Sequence, residues 1–121
     1  IEAISDDILA RWFSNEILKN KAVELQMWRS MLTRTTKSGY IGCCEAISQC
    51  DLTEQAKLIN IPTLVLVGDE DGSTPINLVK DAANLIDGSI FKIIKKAGHL
   101  PCVEQPNEVA SIFLQFLENN T

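Results

Sequence analysis

The sequence has no long hydrophobic run and no excess of positive charge. No apolar stretch approaches the roughly 20 residues that a membrane-spanning helix needs, and no basic-then-apolar signal pattern is seen at the start. The chain of 121 residues carries a formal net charge of -5. Nucleic acids and anionic membrane surfaces are recognised by basic faces. We therefore expect neither of them as a partner.

Histidine and cysteine are also scarce. The chain has one histidine and four cysteines, and Cys43, Cys44, Cys50 and Cys102 show no Cys-x-x-Cys spacing. Zinc sites need clusters of these residues, so we expect no metal, and we expect no cofactor either. We interpret the cysteines as buried thiols of a cytoplasmic protein, because disulfides rarely persist in that compartment. Disulfide pairing is the alternative.

What is present is enough apolar sequence for one globular domain. Hydrophobic residues make up 45% of the chain. Those in positions 1–58 recur at helical spacing, and nothing there is typical of a strand. From residue 59 strands and helices alternate, which predicts an α/β fold. Its elements are strand 61–67, helix 75–87, strand 90–94 and a helix that begins near Pro106.

The two helices of this second part each have an apolar face. We expect Gly88 to end the first of them in the left-handed conformation, and the last helix to point Val109, Ile112, Phe113, Phe116 and Leu117 inward. Two strands are few for a parallel sheet, and strand 61–67 is too apolar for an exposed edge. We therefore expect it to have a further neighbour, either from a segment outside this sequence or from a second copy.

The stretch 61–75 organises the second part. Its apolar run is typical of a buried parallel strand, and Gly68 allows the chain to turn sharply after it. Thr74, followed by proline, predicts the N-cap of the next helix. The loop between carries Asp71, and ligands bind at the carboxyl ends of parallel strands. We interpret Asp71 as the functional acid and the two acidic residues before it as turn residues.

Asp71 and His99 each follow a predicted strand directly. The carboxyl ends of adjacent parallel strands lie about 5 Å apart at one edge of the sheet, so we expect the two side chains to meet. A carboxylate beside an imidazole accepts the Nδ1 proton, fixes the tautomer and leaves Nε2 to take a proton from a nucleophile. The alternative for each residue taken alone is an ordinary role in a turn or loop.

Two runs resemble the acid and histidine motifs of α/β-hydrolases. They are Gly68-Asp69-Glu70-Asp71-Gly72-Ser73-Thr74-Pro75 and Ala97-Gly98-His99-Leu100-Pro101, and their order matches that fold's order of nucleophile, acid and histidine. Within the superfamily, essentially the whole chain resembles 3-oxoadipate enol-lactonases. Further runs carry this resemblance, namely Ala10-Arg11-Trp12-Phe13, Gly39-Tyr40-Ile41-Gly42-Cys43-Cys44-Glu45-Ala46-Ile47, Asp51-Leu52-Thr53, Ile61-Pro62-Thr63-Leu64-Val65 and Val103-Glu104-Gln105-Pro106.

The resemblance implies that the chain has two structural parts. Residues 1–58 would be the helical cap over an active site, and residues 59–121 the last two strands and last two helices of the catalytic domain. Asp71 would be the triad acid and His99 the general base. The implied substrate is a small enol-lactone bearing a carboxylate. Trp12 could form an apolar wall for it and Arg11 a cation, but neighbours on a helix diverge by about 100°, so both cannot face one pocket.

The chain departs from the family pattern in one large respect. It contains no Gly-x-Ser-x-Gly nucleophile motif, and Ser73 lies in Gly-Ser-Thr-Pro. It therefore resembles only the C-terminal half of such an enzyme, and we expect it to be inactive alone. We also expect it to associate with the missing N-terminal half or with copies of itself.

Other functions remain open at this point. Within the fold, the rivals are an esterase, a dehalogenase or a C–C bond hydrolase, because the acid and histidine motifs are shared by all of them. A non-catalytic binding module that keeps the half-fold is a candidate from another class. The absent half could also be a separate chain that reassembles with this one.

Overall fold

The computed structural model describes residues 1–120, and its elements up to residue 58 are all helical. A short 3₁₀ turn over Glu2–Ile4 leads into five helices, which are α1 (Ser5–Trp12), α2 (Asn15–Asn20), α3 (Ala22–Thr33), α4 (Lys37–Gln49) and α5 (Thr53–Ala56). Between α1 and α2 the backbone is extended, with ψ of 149° at Phe13 and 161° at Ser14. The first two helices are therefore separated by a sharp break, which we call the α1–α2 junction (residues 11–15).

Two parallel strands form the sheet, β1 (Leu64–Gly68) and β2 (Ile90–Ile94). Their register pairs Leu64 with Ile90 and Gly68 with Ile94. The second strand has the predicted bounds, whereas the first begins three residues later than predicted because it follows Pro62, which lacks an N–H for a ladder. The α/β class and the order of helices followed by two parallel strands are confirmed.

Three helices follow the strands, α6 (Ile76–Ala83) after β1 and then α7 (Pro101–Glu104) and α8 (Pro106–Glu118) after β2. Helix α6 is shorter than the predicted 75–87 because the chain tightens after it: the N–H groups of Leu85 and Ile86 reach back only three residues. Gly88 has the expected left-handed φ of 68°, although it lies beyond that tighter segment.

The core is small and lies where the helices of the first half meet the sheet. Its fully buried apolar residues are Ile8, Leu9, Phe13, Leu32, Val67, Ala83, Ile94 and Ala97. The ring of Phe13 packs on that of Trp28 at a centroid distance of 5.7 Å, which joins the α1–α2 junction to α3. This core fixes the α1–α2 junction against the ends of both strands.

Two predictions about burial are wrong. Of the α8 residues expected to point inward, Phe113 and Leu117 are exposed, and the other three are only half-buried, because a two-stranded sheet covers little of the helix. All four cysteines are exposed free thiols rather than buried ones. Two of them lie on α4, which buries none of its residues.

No helix among residues 1–120 has both the length and the apolar character needed to cross a membrane.

Candidate active site

The loops that follow β1 and β2 touch each other. The N–H of Glu70 donates to the carbonyl of Ala97 at 2.9 Å, and the carboxylate of Asp69 lies 3.5 Å from Nζ of Lys95. At Gly68, a Cβ atom would overlap the carbonyl oxygens of Ala97 and Gly98. Glycine at the end of β1 is therefore what lets the two loops approach this closely.

Asp71 is held by four hydrogen bonds in the first of these loops. Its Oδ1 accepts from the N–H groups of Ser73 at 2.8 Å and Thr74 at 2.9 Å. Its Oδ2 accepts from the Thr74 hydroxyl at 2.8 Å and lies 2.9 Å from Nδ1 of His99. The side chain is only 4% exposed. The carboxylate thus has a partner at each of its four acceptor positions.

Electrostatics keep Asp71 ionised. Burial alone would raise its pKa, but the hydrogen bonds from the Thr74 N–H, the His99 ring, the Thr74 hydroxyl and the Ser73 N–H outweigh that cost. The pKa of Asp71 is therefore lowered from its ordinary value of 3.8. An ionised carboxylate can only accept, so Nδ1 of His99 must carry a proton, and in the neutral ring Nε2 is the nitrogen with the free lone pair.

Thr74 takes a different role from the predicted one. It does not cap a helix, because Pro75 occupies the N-cap position of α6. Its hydroxyl instead bonds to Asp71 and lies 3.2 Å from Nδ1 of His99. Thr74 is thus a residue of the acid–histidine site that the sequence reasoning missed. A hydroxyl three residues after the acid was the available signal.

The α1–α2 junction holds both loops through its main chain. The carbonyl of Trp12 accepts from the N–H of His99 at 2.7 Å, and the carbonyl of Arg11 accepts from the N–H of Gly72 at 3.1 Å. Two acidic side chains in turn accept hydrogen bonds from the junction. Glu104 accepts from the Ser14 N–H at 3.0 Å, and Glu70 accepts from the Asn15 N–H at 2.8 Å. The sequence reasoning missed Glu104, and it assigned Glu70 only to the turn.

An apolar cavity of about 270 Å³ lies beside the histidine loop. It is lined by Trp12, Trp28, Met31, Leu32, Thr35 and Leu100. Trp12, predicted as an apolar wall, contributes to this lining. Arg11 is not among the lining residues; it is exposed, and its Nε donates to the Asp7 carbonyl at 3.3 Å. Arg11 and Trp12 are consecutive residues of α1, so their side chains leave the helix about 100° apart and meet different surroundings.

The larger cavity of about 540 Å³ lies at the opposite ends of the strands, among residues 57–62, Asp87, Gly88 and Asn120. Ligand chemistry in parallel sheets is found at the carboxyl ends, and Asp71 and His99 lie there. Size alone would select the wrong cavity. Within residues 1–120, no group of three His, Cys, Asp or Glu side chains is arranged to hold a metal ion.

The chain is similar to known hydrolases in sequence and in structure. No protein-family model matches it. It is 33% identical over 110 residues to 3-oxoadipate enol-lactonase 1 of Acinetobacter baylyi, covering 90% of this chain and 41% of that protein. Over 93 residues it is 30% identical to a non-heme haloperoxidase of Rhodococcus erythropolis, covering 76% of this chain and 34% of that protein.

Solved structures agree with this likeness. The enol-lactonase from Burkholderia xenovorans LB400 superposes with a TM-score of 0.89 at 30% identity, over 96% of this chain and 44% of that one. A thermophilic esterase from Thermogutta terrifontis superposes with a TM-score of 0.87 at 27% identity, over 98% of this chain and 44% of that one. The chain spans less than half the length of the curated relatives it matches.

The fold, the site and these similarities together define the class: the chain has the fold of the C-terminal part of an α/β-hydrolase, and its relatives and structural neighbours are α/β-hydrolases. Within that superfamily, its particular resemblance is to 3-oxoadipate enol-lactonases, whose similarity extends over most of this chain.

Proposed function

We propose that this chain is the C-terminal part of a hydrolase that opens a small carboxylated enol-lactone by Ser-His-Asp catalysis. Asp71 is the acid and His99 the general base of that triad. The observation that carries the proposal is the buried, ionised carboxylate of Asp71 beside Nδ1 of His99. The similarity to enol-lactonases supports the choice of substrate class.

The geometry accounts for the proton transfers that such a reaction needs. With Nδ1–H donated to Asp71, Nε2 accepts the proton of the attacking serine hydroxyl and returns it to the leaving oxygen of the lactone, which leaves an ester on the serine. Nε2 then takes a proton from the water that attacks this ester and gives it to the departing serine oxygen. The imidazolium formed between these steps is stabilised by the Asp71 carboxylate. The His99 side chain is 36% exposed, so a substrate can reach it from the open side of the loop.

The proposed substrate contact is Trp12. Its ring lines the cavity beside Leu100, the residue that follows His99. A volume of about 270 Å³ suits a small ligand. Arg11, the other candidate, does not line this cavity, but its backbone and Cβ lie against Gly72 beside Asp71. A contact between its cation and the carboxylate of the substrate therefore stays a prediction.

We propose that the nucleophile and the donors for the oxyanion come from polypeptide outside these 121 residues. The printed sequence has no Gly-x-Ser-x-Gly motif, and in a serine protease the loss of the nucleophile alone cost about 10⁶-fold in kcat. The chain alone is therefore inactive in this proposal. Large apolar side chains such as Val23, Ile47 and Leu58 are at least 74% exposed, which supports association with the missing half or, failing that, with copies of itself.

The test compares enol-lactone hydrolysis by the 121-residue chain, by the longest reading frame that contains it, and by the same pair carrying His99→Asn. We expect turnover only from the longer wild-type protein. Turnover by the short chain above its His99→Asn background would contradict the proposed inactivity. Failure of the longer protein to open any enol-lactone would contradict the substrate class.

An esterase is the second candidate, because the Thermogutta terrifontis esterase superposes on the chain nearly as well as the enol-lactonase does. Simple aryl acetates assayed beside the enol-lactone distinguish the two. A ratio of kcat/KM values that favours the acetate supports the esterase.

A cytoplasmic location completes the proposal. Four exposed free thiols would stay reduced in that compartment.

A further inference from the structure

We propose that Glu104 is a positioning residue for His99, and that it ties the placement of this histidine to the α1–α2 junction. Glu104 lies at the end of the short helix α7, and one carboxylate serves two distant parts of the chain. Its Oε1 accepts from the N–H of Gly98, directly before His99, at 2.7 Å. The N–H of Ser14 donates mainly to Oε2 at 3.0 Å and more weakly to Oε1 at 3.4 Å.

The main chain at His99 is held at two successive N–H groups. That of Gly98 goes to Glu104, and that of His99 goes to the carbonyl of Trp12 at 2.7 Å. Gly98 offers no side chain for packing, and a Cβ atom there would overlap the Trp12 carbonyl. The hydrogen bonds therefore set the position of this loop. They connect it to the junction directly at Trp12, and through the Glu104 carboxylate at Ser14.

A carboxylate is the group that this position requires. Gly98 is buried and Ser14 is only 1% exposed, so water does not readily replace a lost partner for either N–H. Hydrogen bonds to an ionised acceptor are roughly twice as strong as neutral ones. A glutamine would offer one acceptor oxygen, and its NH₂ group would face the second N–H as a donor against a donor.

Glu70 provides a matched control within the same chain. It is a carboxylate in the loop after β1, and its Oε2 accepts from both the backbone N–H and the Nδ2–H group of Asn15 at 2.8 Å. Its hydrogen bonds are exposed, and they hold the junction without touching Gly98. Both of these bonds go to one oxygen, so Glu70→Gln keeps the acceptor and only weakens the bonds by removing the charge. Glu104→Gln instead leaves one of two buried N–H groups facing a donor.

The experiment is NMR on the ¹⁵N-labelled 121-residue chain, which has one histidine, so every imidazole signal belongs to His99. We expect Glu104→Gln to lower the hydrogen-exchange protection of the Gly98 N–H by about tenfold, and to reduce the share of the Nδ1–H tautomer. Glu70→Gln should lower the protection of the Asn15 N–H and leave the His99 signals as in the wild type.

Two results would overturn the inference. One is wild-type Gly98 protection and wild-type His99 signals in Glu104→Gln, and the other is an equal change of those signals in Glu70→Gln. If Glu104→Gln does not fold, Glu104→Asp takes its place, because the shorter side chain keeps the charge but cannot reach both N–H groups. The Gly98 protection and the His99 signals are then measured on Glu104→Asp, and the same two results would overturn the inference. The inference rests on the proposed function only in one respect, which is that the proposed function makes His99 the general base. A failed hydrolysis assay would leave these NMR results intact.

Discussion

The carboxylate of Asp71 lies 2.9 Å from Nδ1 of His99, and 28 positions separate the two residues in the sequence. The register of the sheet explains this contact, because Gly68 at the end of β1 pairs with Ile94 at the end of β2. Each strand is followed by a loop that carries one member of the pair. The two side chains therefore meet because the strands are parallel, adjacent and in this register.

Removing the charge of Asp71 should disable the histidine. In the longer protein that supplies the nucleophile, Asp71→Asn is expected to lower kcat by about 10⁴-fold, because an amide no longer enforces the Nδ1–H tautomer. Asp81→Asn, on an exposed position of α6, serves as the control and should leave kcat unchanged. A kcat for Asp71→Asn within about tenfold of wild type would speak against the triad role.

Acid should destabilise the chain partly through Asp71. The pKa of this carboxyl in the folded chain is below its ordinary value of 3.8. Its ionised form therefore stabilises the fold above about pH 4, and this contribution is lost as the pH falls through the lower pKa of the folded state. Between about pH 6 and pH 3, urea unfolding should show a larger loss of free energy for wild type than for Asp71→Asn. Equal losses would contradict the lowered pKa.

The Thr74 hydroxyl should contribute more stability than an ordinary exposed one. Thr74→Val keeps the shape but deletes the hydrogen bond to the buried Asp71 carboxylate, so we expect the free energy of unfolding to fall by about 1.5–3 kcal/mol. Thr63→Val is the control, since its hydroxyl bonds only to the exposed carbonyl of Ile61. A loss of no more than about 1 kcal/mol is expected there. Similar losses in both variants would refute the special role of Thr74.

Two glycines should respond in opposite ways to alanine. At Gly98 the added methyl group would overlap the Trp12 carbonyl, so we expect a loss of about 1–3 kcal/mol in the free energy of unfolding. At Gly42, within α4, a Cβ atom meets nothing within 4 Å, and Gly42→Ala should gain about 0.5–1 kcal/mol. Denaturant melts of both variants test this, and a neutral Gly98→Ala would mean that the junction and the histidine loop are not in close contact.

The parts of the fold that depend on local pattern could be predicted from the sequence. The apolar run before Gly68 and the alternation around Lys92 gave both strands, and the Asp71–His99 contact followed from their order along the chain. The bounds of β1 and α6 shifted because Pro62 and a tight turn after Ala83 override the apolar pattern. Such effects depend on one or two residues within a longer apolar run.

What could not be predicted depends on contacts between distant segments. Nothing around Glu104 indicates that its carboxylate binds Ser14, which is 90 residues away. Thr74 has the local pattern of a helix cap, yet the nearby carboxylate of Asp71 takes its hydroxyl. The burial expected for Phe113 failed because helical spacing tells which face is apolar, and not whether another element covers that face.

The bond from His99 to position 12 has an evolutionary consequence. Its acceptor is a backbone carbonyl, which every amino acid supplies equally, while the ring of Trp12 lines the neighbouring cavity. Replacing that ring can alter which molecules are accommodated without realigning the histidine. A single position thus holds the histidine loop through its backbone and leaves the side chain beside the cavity free to diversify.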